Sequence, residues 1–145
     1  MNIYEQGLDR NAANFEPLSP TSFIKRSAQV FADMPAVIHG DRRFTWSQCR
    51  DRSARLAAAL RELGVRRGDT VSVMLANTPE MIEAHYAVPG INAVLNTLNT
   101  RLDADLLAWQ MNHCETRVLI TDSEFAPVMR QALRALKQVH GRTPI

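Results

Sequence analysis

Three short apolar runs, each followed by a segment of helical spacing, constrain this chain more than any other feature. They are "TVSVML" (70–75), "AVLN" (93–96) and "RVLIT" (117–121). A strand with one face in water alternates apolar and polar residues. A strand that is apolar almost throughout has both faces covered, the condition of a parallel sheet flanked by helices. Between the runs, Thr78-Pro79-Glu80 opens a helix whose apolar face is Met81, Ile82, His85 and Val88. Asp103 caps a second with Leu106, Leu107, Met111 and Cys114. Ser123 caps a third with Phe125, Val128 or Met129, Ala132 or Leu133, and Leu136. The predicted fold class is α/β: a βαβαβα parallel sheet with helices on both faces.

A helix and a β-hairpin precede this unit. Residues 1–18 have little periodicity and read as an extended arm. Ser19 supplies a side-chain cap and Pro20 needs no amide donor, so a helix starts there, with Phe23, Ile24, Ser27 or Ala28, and Phe31 inward. Pro35 is expected to close it. Gly40-Asp41, between two short runs, suits a two-residue hairpin with positive φ at the glycine. Thr45 and Gln48 form a capping-box pattern before a stripe of Trp46, Cys49, Ser53, Leu56, Leu60 and Leu63, and Gly64 stands where a left-handed cap is wanted. The chain has no internal repeat, low-complexity tract or clear linker, so residues 19–145 are read as one unit. It ends on "GRTPI", where the alternation calls for another strand, and a partial subdomain, truncated after its last helix, is the expectation.

At 145 residues the chain is long enough for a real core, and 46% hydrophobic with 22% charged residues is ordinary for a globular protein. A net charge of +2 is too weak to argue for nucleic acid. Arginines 42, 43, 50, 52, 55, 61, 66 and 67 cluster and are read as a solvated helix face plus turn rather than a polyanion site. The two cysteines, Cys49 and Cys114, have neither metal-type nor redox-type spacing. Without a signal peptide or an apolar run of the ~20 residues that span a bilayer, a reduced cytoplasmic protein with buried thiols is expected.

Chemistry-bearing constellations are sparse. The six glycines are scattered and form neither a dinucleotide fingerprint nor a P-loop. His113 and Cys114 are adjacent, so they point to different sides of a helix and make no zinc site. His85 lies on an apolar face and reads as core-edge packing rather than a general base. Asp41, Asp51 and Asp69 fall in turn or cap contexts. No serine sits in a nucleophile elbow. There remains "NTLNTRL" (96–102), beyond the carboxyl end of the second strand, where open α/β sheets hold ligands. Its Asn and Thr residues can support a loop by side-chain to backbone bonds. Arg101 can pin the loop to a carboxylate or reach an anionic ligand.

The order of these pieces resembles a known family. Phe44-Thr45-Trp46, Leu63-Gly64-Val65 with Gly68-Asp69-Thr70-Val71, Asn77 and Glu80, and finally "AVLNTLNTRL" are together similar to the N-terminal part of the adenylate-forming acyl-CoA synthetases, the AMP-dependent synthetases and ligases. The resemblance covers about residues 20–136 and is nearest to the branch acting on medium- or long-chain fatty acids and related carboxylates. Cys49 stands where the family usually has an aliphatic residue, and Gly90-Ile91-Asn92 where it usually has small residues or glycine.

The resemblance implies a two-step ligation. A carboxylate attacks the α-phosphate of ATP, giving an acyl-adenylate and pyrophosphate, and the CoA thiol then displaces AMP; magnesium assists the first step. The family's phosphate loop, ribose-binding Asp and lid Lys all follow the matched region. No residue here therefore acquires a catalytic, cofactor-binding or metal-binding role, and Asn96 to Leu102 becomes scaffold beneath the sites. The implied partner is the rest of a synthetase or a complementary chain, with a homo-oligomer as a further possibility, and the piece alone is expected to be inactive. The alternative is a stand-alone, non-catalytic interaction module on the same scaffold. A module should be discrete in solution, whereas an orphan piece should associate through exposed apolar surface.

Overall fold

The computed structural model describes residues 3–16 and 18–145. In the N-terminal arm, a short 3-10 turn at Ile3–Glu5 precedes a loop in which Asn11 Oδ1 accepts the amide of Ala13 at 2.9 Å. Helix α1 (Pro20–Val30) begins at Ser19, where both halves of a capping box are made with Ser22. Pro35 does not close this helix. The helix stops five residues earlier, and Pro35 opens strand β1 (Pro35–His39). Phe23 and Phe31, expected inward, are half exposed, because the contact face of α1 is only Ile24 and Ala28.

Strand β2 (Arg42–Thr45) returns antiparallel to β1, with His39 opposite Arg42 and Gly40 at φ +58° between them. Glycine supplies that positive φ without a Cβ clash. Helix α2 (Trp46–Glu62) starts with the expected Thr45–Gln48 box. It ends with Gly64 at φ +82°, the Gly64 amide donating to Arg61 and the Val65 amide to Leu60. This is a Schellman closure, which satisfies two carbonyls that the helix end would leave bare. Cys49, Ser53 and Leu60 are buried, but Leu63 at the foot of the predicted stripe is exposed.

Strands β3 (Thr70–Met74), β4 (Val94–Thr97) and β5 (Thr116–Thr121) form a three-stranded parallel sheet in the order β4-β3-β5. Helices α3 (Pro79–Gly90), α4 (Ala104–His113) and α5 (Ala126–His140) connect and follow them. Every residue of β3 is buried, as its apolar run implies. One face packs Val71, Val73, Leu75 and Val118 against Leu60, Ala84 and Val88 of α2 and α3. The other packs Met74 against Leu107, Met111, Met129, Ala132 and Leu136 of α4 and α5. This is the expected α/β arrangement with helices on both faces.

The helix faces differ in detail from the spacing-based reading. In α3, Ala84, Ala87 and Val88 are buried, whereas Ile82 and His85 are exposed. The small side chains let α3 lie close against α2 and the sheet, and the larger ones are left outside. Asp103 caps α4 as expected, accepting the Leu106 amide at 2.9 Å. Before α5 the cap is Asp122 rather than Ser123: its carboxylate accepts the Glu124 amide and opens a 3-10 turn (Ser123–Phe125) that runs into the helix. Asn92 takes φ +59° just past α3, a left-handed position that asparagine tolerates better than most residues. Its carbonyl accepts the Gly68 amide at 2.9 Å, so the residue closes the turn before β4.

An ionic clamp fixes the hairpin on α2 and α3. The Phe44 ring lies beneath two guanidinium groups, Arg52 at 4.6 Å and Arg42 at 5.4 Å. Arg42 donates to Glu80, and Arg52 donates to Glu83 and lies 3.7 Å from Glu80. The Arg42 hydrogen bond holds the Glu80 carboxyl down to about 2. A carboxylate depressed in the folded state stabilises above its ordinary value of ~4.3, and that contribution is lost as pH falls through the folded value. Glu80→Gln should therefore lower the urea midpoint at pH 7. The gap from the parent should close as pH falls from about 4 toward about 2; a gap that persists unchanged would separate Glu80 from the clamp.

Candidate functional site: the carboxyl rim of the sheet

The strands of the parallel sheet all end at one rim, built from residues 75–78 after β3, 98–102 after β4 and 122–125 after β5. In open α/β sheets this rim is where ligands bind. Two adjoining crevices occupy it. One, about 470 Å³, runs between Leu75, Asn77, Leu98, Thr100 and Phe125. The other, about 380 Å³, lies between Leu56, Leu75, Glu80, Glu83 and Asp122. The carboxylates in the second are engaged: Glu80 and Glu83 hold the clamp arginines, and Asp122 caps the turn before α5.

The stretch 96–102 divides its polar residues between the interior and the rim. Asn96 turns inward: its Nδ2 donates to Ser72 Oγ at 2.9 Å, and its Oδ1 accepts from Gln110 Nε2 at 3.2 Å. Ser72, fully buried, shares a hydrogen bond with Thr116 Oγ1 at 2.7 Å. One polar chain thus joins α4, β4, β3 and β5. Leu98 is buried in the α4/α5 core, and Asn99 Oδ1 accepts the Arg101 amide at 2.9 Å, bracing the loop from within. The Arg101 guanidinium is exposed and makes no ion pair among the described residues. The inward network was missed in the sequence; its one signal was a polar residue within or at the end of an apolar run, Ser72 inside the first and Asn96 closing the second, with Thr116 just before the third.

The other sequence candidates are dispersed. His85 is solvent-exposed, not packed at the core edge, and its Nδ1 hydrogen-bonds the Met81 carbonyl oxygen at 2.8 Å. The His113 ring stacks on Trp109 at 5.1 Å. Asp51 lies within α2, paired with Arg50 at 2.7 Å, and is not a cap. Asp69 Oδ2 accepts the Arg66 amide at 2.8 Å, as a turn residue should, and also meets Arg117 at 3.3 Å. Both cysteines are free. Cys49 is buried, which pushes its thiol up, but Cys114 is only half-buried. Among the described residues no three His, Cys, Asp or Glu side chains gather to hold a metal.

A parallel sheet covered by helices on both faces, with an open carboxyl rim, defines the chain as an α/β fold. A fatty acyl CoA synthetase of Mycobacterium tuberculosis superposes on 79% of this chain with a TM-score of 0.75 and 28% identity, over 23% of its own length. The peroxisomal butyrate–CoA ligase of Arabidopsis thaliana is 44% identical over 124 residues, covering 86% of this chain and 22% of the ligase. The peroxisomal benzoate–CoA ligase of the same plant is also 44% identical, with 21% of its length matched. The sequence pattern of the AMP-binding enzymes matches residues 24–144, and the chain belongs to that family. It spans only about a fifth of the length of these curated relatives.

Proposed function

We propose that the chain is the N-terminal scaffold of an ATP-dependent carboxylate–CoA ligase. That enzyme would join a medium- or long-chain fatty acid, or a similar carboxylate, to CoA through an acyl-adenylate. The family match across residues 24–144 carries the proposal. Within the ligase, this region frames the rim of the sheet and presents its loops to the parts that bind ATP and the acyl group. Alone, residues 1–145 neither adenylate nor form a thioester. The chemistry needs several groups that cradle triphosphate and stabilise developing charge, whereas at the rim Glu80, Glu83 and Asp122 are engaged and Arg101 is the one cationic residue among 75–78, 98–102 and 122–125.

The test has two arms. Purified 1–145 should give no ATP–pyrophosphate exchange with butyrate, octanoate or benzoate, and detectable exchange overturns the claim of inactivity. A chimera carrying residues 24–144 in place of the matched segment of the Arabidopsis butyrate–CoA ligase should exchange pyrophosphate with one of these acids. A folded but inert chimera overturns the ligase reading.

A further inference from the structure

We infer that the groove between α1, α2 and α3 is a binding site for a free carboxylate carrying an alkyl chain of medium length. The inference is independent of the ligase reading, because the groove shares no residue with either rim crevice.

The groove holds about 320 Å³, at the lower end of the range for small-molecule sites. It follows one stripe of α2, from Arg50 through Ser53, Ala54 and Ala58 to Arg61, a rise of about 16 Å along the helix axis. Tyr86 and Ile91 stand on the opposite wall, in and just after α3. Alanines on a helix ordinarily bring a neighbouring helix close, yet Ala54 and Ala58 are exposed. Helix α1 buries only Ile24 and Ala28 and leaves that stripe open.

Ser53 separates this groove from a mere packing gap. The residue is 6% exposed, and its Oγ is closed to solvent and has no hydrogen-bond partner. A serine inside a helix can bond the carbonyl four residues back, here that of Cys49, and Ser53 does not. Among the described residues it is the one buried side-chain oxygen or nitrogen left in this state. A hydroxyl so placed carries a desolvation penalty, which donating to an incoming oxygen removes.

Charge fixes the class of ligand. Both charged side chains on the groove walls are arginines, and among the described residues no carboxylate lines it. Arg50 lies one turn before Ser53. Asp51 and Ser47 hold its guanidinium through Nε and Nη2, which leaves the two Nη1 hydrogens to donate. Arg61 makes no ion pair among the described residues. The carboxylate head therefore sits between Arg50 and Ser53, and the chain lies over the alanines toward the aliphatic stem of Arg61. The head reaches Oγ by displacing the side chains that close it off, and the α1 wall of Thr21 and Ile24, on a helix with two buried residues, is the one that yields. An inorganic anion would leave the alanine floor unfilled, and an alkylammonium would meet two guanidinium groups.

Sodium octanoate is titrated into isotope-labelled 1–145, and amide shifts are followed by NMR. Saturating shifts should appear at Ser53, Ala57, Tyr86 and Ile91, and octylammonium should produce none. Ser53→Ala should weaken octanoate by at least about tenfold, the loss of one hydrogen bond to a charged group. The same variant should not lower the urea midpoint of the free chain, because no internal bond is lost, whereas a serine with a purely structural role would lower it. Ala58→Leu, at an exposed position, should keep the fold and block the groove. Shifts at the rim without shifts in the groove, a response that does not saturate, an equal response to octylammonium, or unchanged affinity in Ser53→Ala would overturn the site.

Discussion

Replacing Leu107 by alanine should lower the free energy of unfolding by about 2–5 kcal/mol, whereas the same change at Leu106 should shift it by less than about 1 kcal/mol. The two leucines are neighbours in the first turns of α4, with the same helix propensity and the same cap. Leu107 has no exposed surface and packs with Met74, Met111, Met129 and Leu136, while Leu106 is 50% exposed. Truncation at 107 therefore removes transfer free energy and leaves a cavity among side chains held by both the sheet and α5. Methionines are flexible and can close part of that gap, which favours the lower half of the range. Urea unfolding monitored by circular dichroism decides the matter. Equal effects at the two positions would mean that α4 is rotated so that Leu106 and Leu107 are equally buried.

That pair also marks the limit of what spacing reveals. The apolar runs of β3 and β5 announce strands covered on both faces, and Ser19, Thr45 and Asp103 announce helix starts, because each rests on a local rule. The depth of a residue within a helix face is not local. Phe23, Leu63, Ile82 and Leu106 all lie at helical spacing and are exposed, while Ala84, Ala87, Ala108 and Ala132 are buried. Large side chains dominate an apolar pattern, yet close helix packing selects small ones. At the rim, the polar cluster after β4 was legible as a strand tip. The opposite fates of Asn96 and Arg101 were not, because they depend on Ser72 and Gln110, brought alongside only by the sheet. The same holds for the Arg42–Glu80 clamp, whose partners are 38 positions apart.

Ser72→Val should destabilise the chain by about 1–3 kcal/mol, although valine suits a strand better than serine. Ser72 is fully buried, and its hydroxyl meets both Asn96 Nδ2 and Thr116 Oγ1. Removing it strands an amide donor and a hydroxyl in a low-dielectric layer, and that loss outweighs the gain in apolar area. Because the chain runs Gln110–Asn96–Ser72–Thr116, the members act as a unit. A double-mutant cycle between Ser72→Val and Asn96→Leu should return a coupling of about 0.5–3 kcal/mol, with the double variant more stable than the sum of the singles. The network also has a positional consequence. Side chains alternate along a strand, so a one-residue slip of β4 or β5 against β3 would turn Asn96 or Thr116 away from Ser72. Apolar residues on both faces of β3 tolerate such a slip, and a polar contact at one level does not. The tie between three strands thus sets the height at which residues 75–78, 98–102 and 122–125 emerge at the rim. If Ser72→Val proves neutral and its cycle shows no coupling, register rests on side-chain packing alone, and the inward Asn96 has no part in shaping that rim.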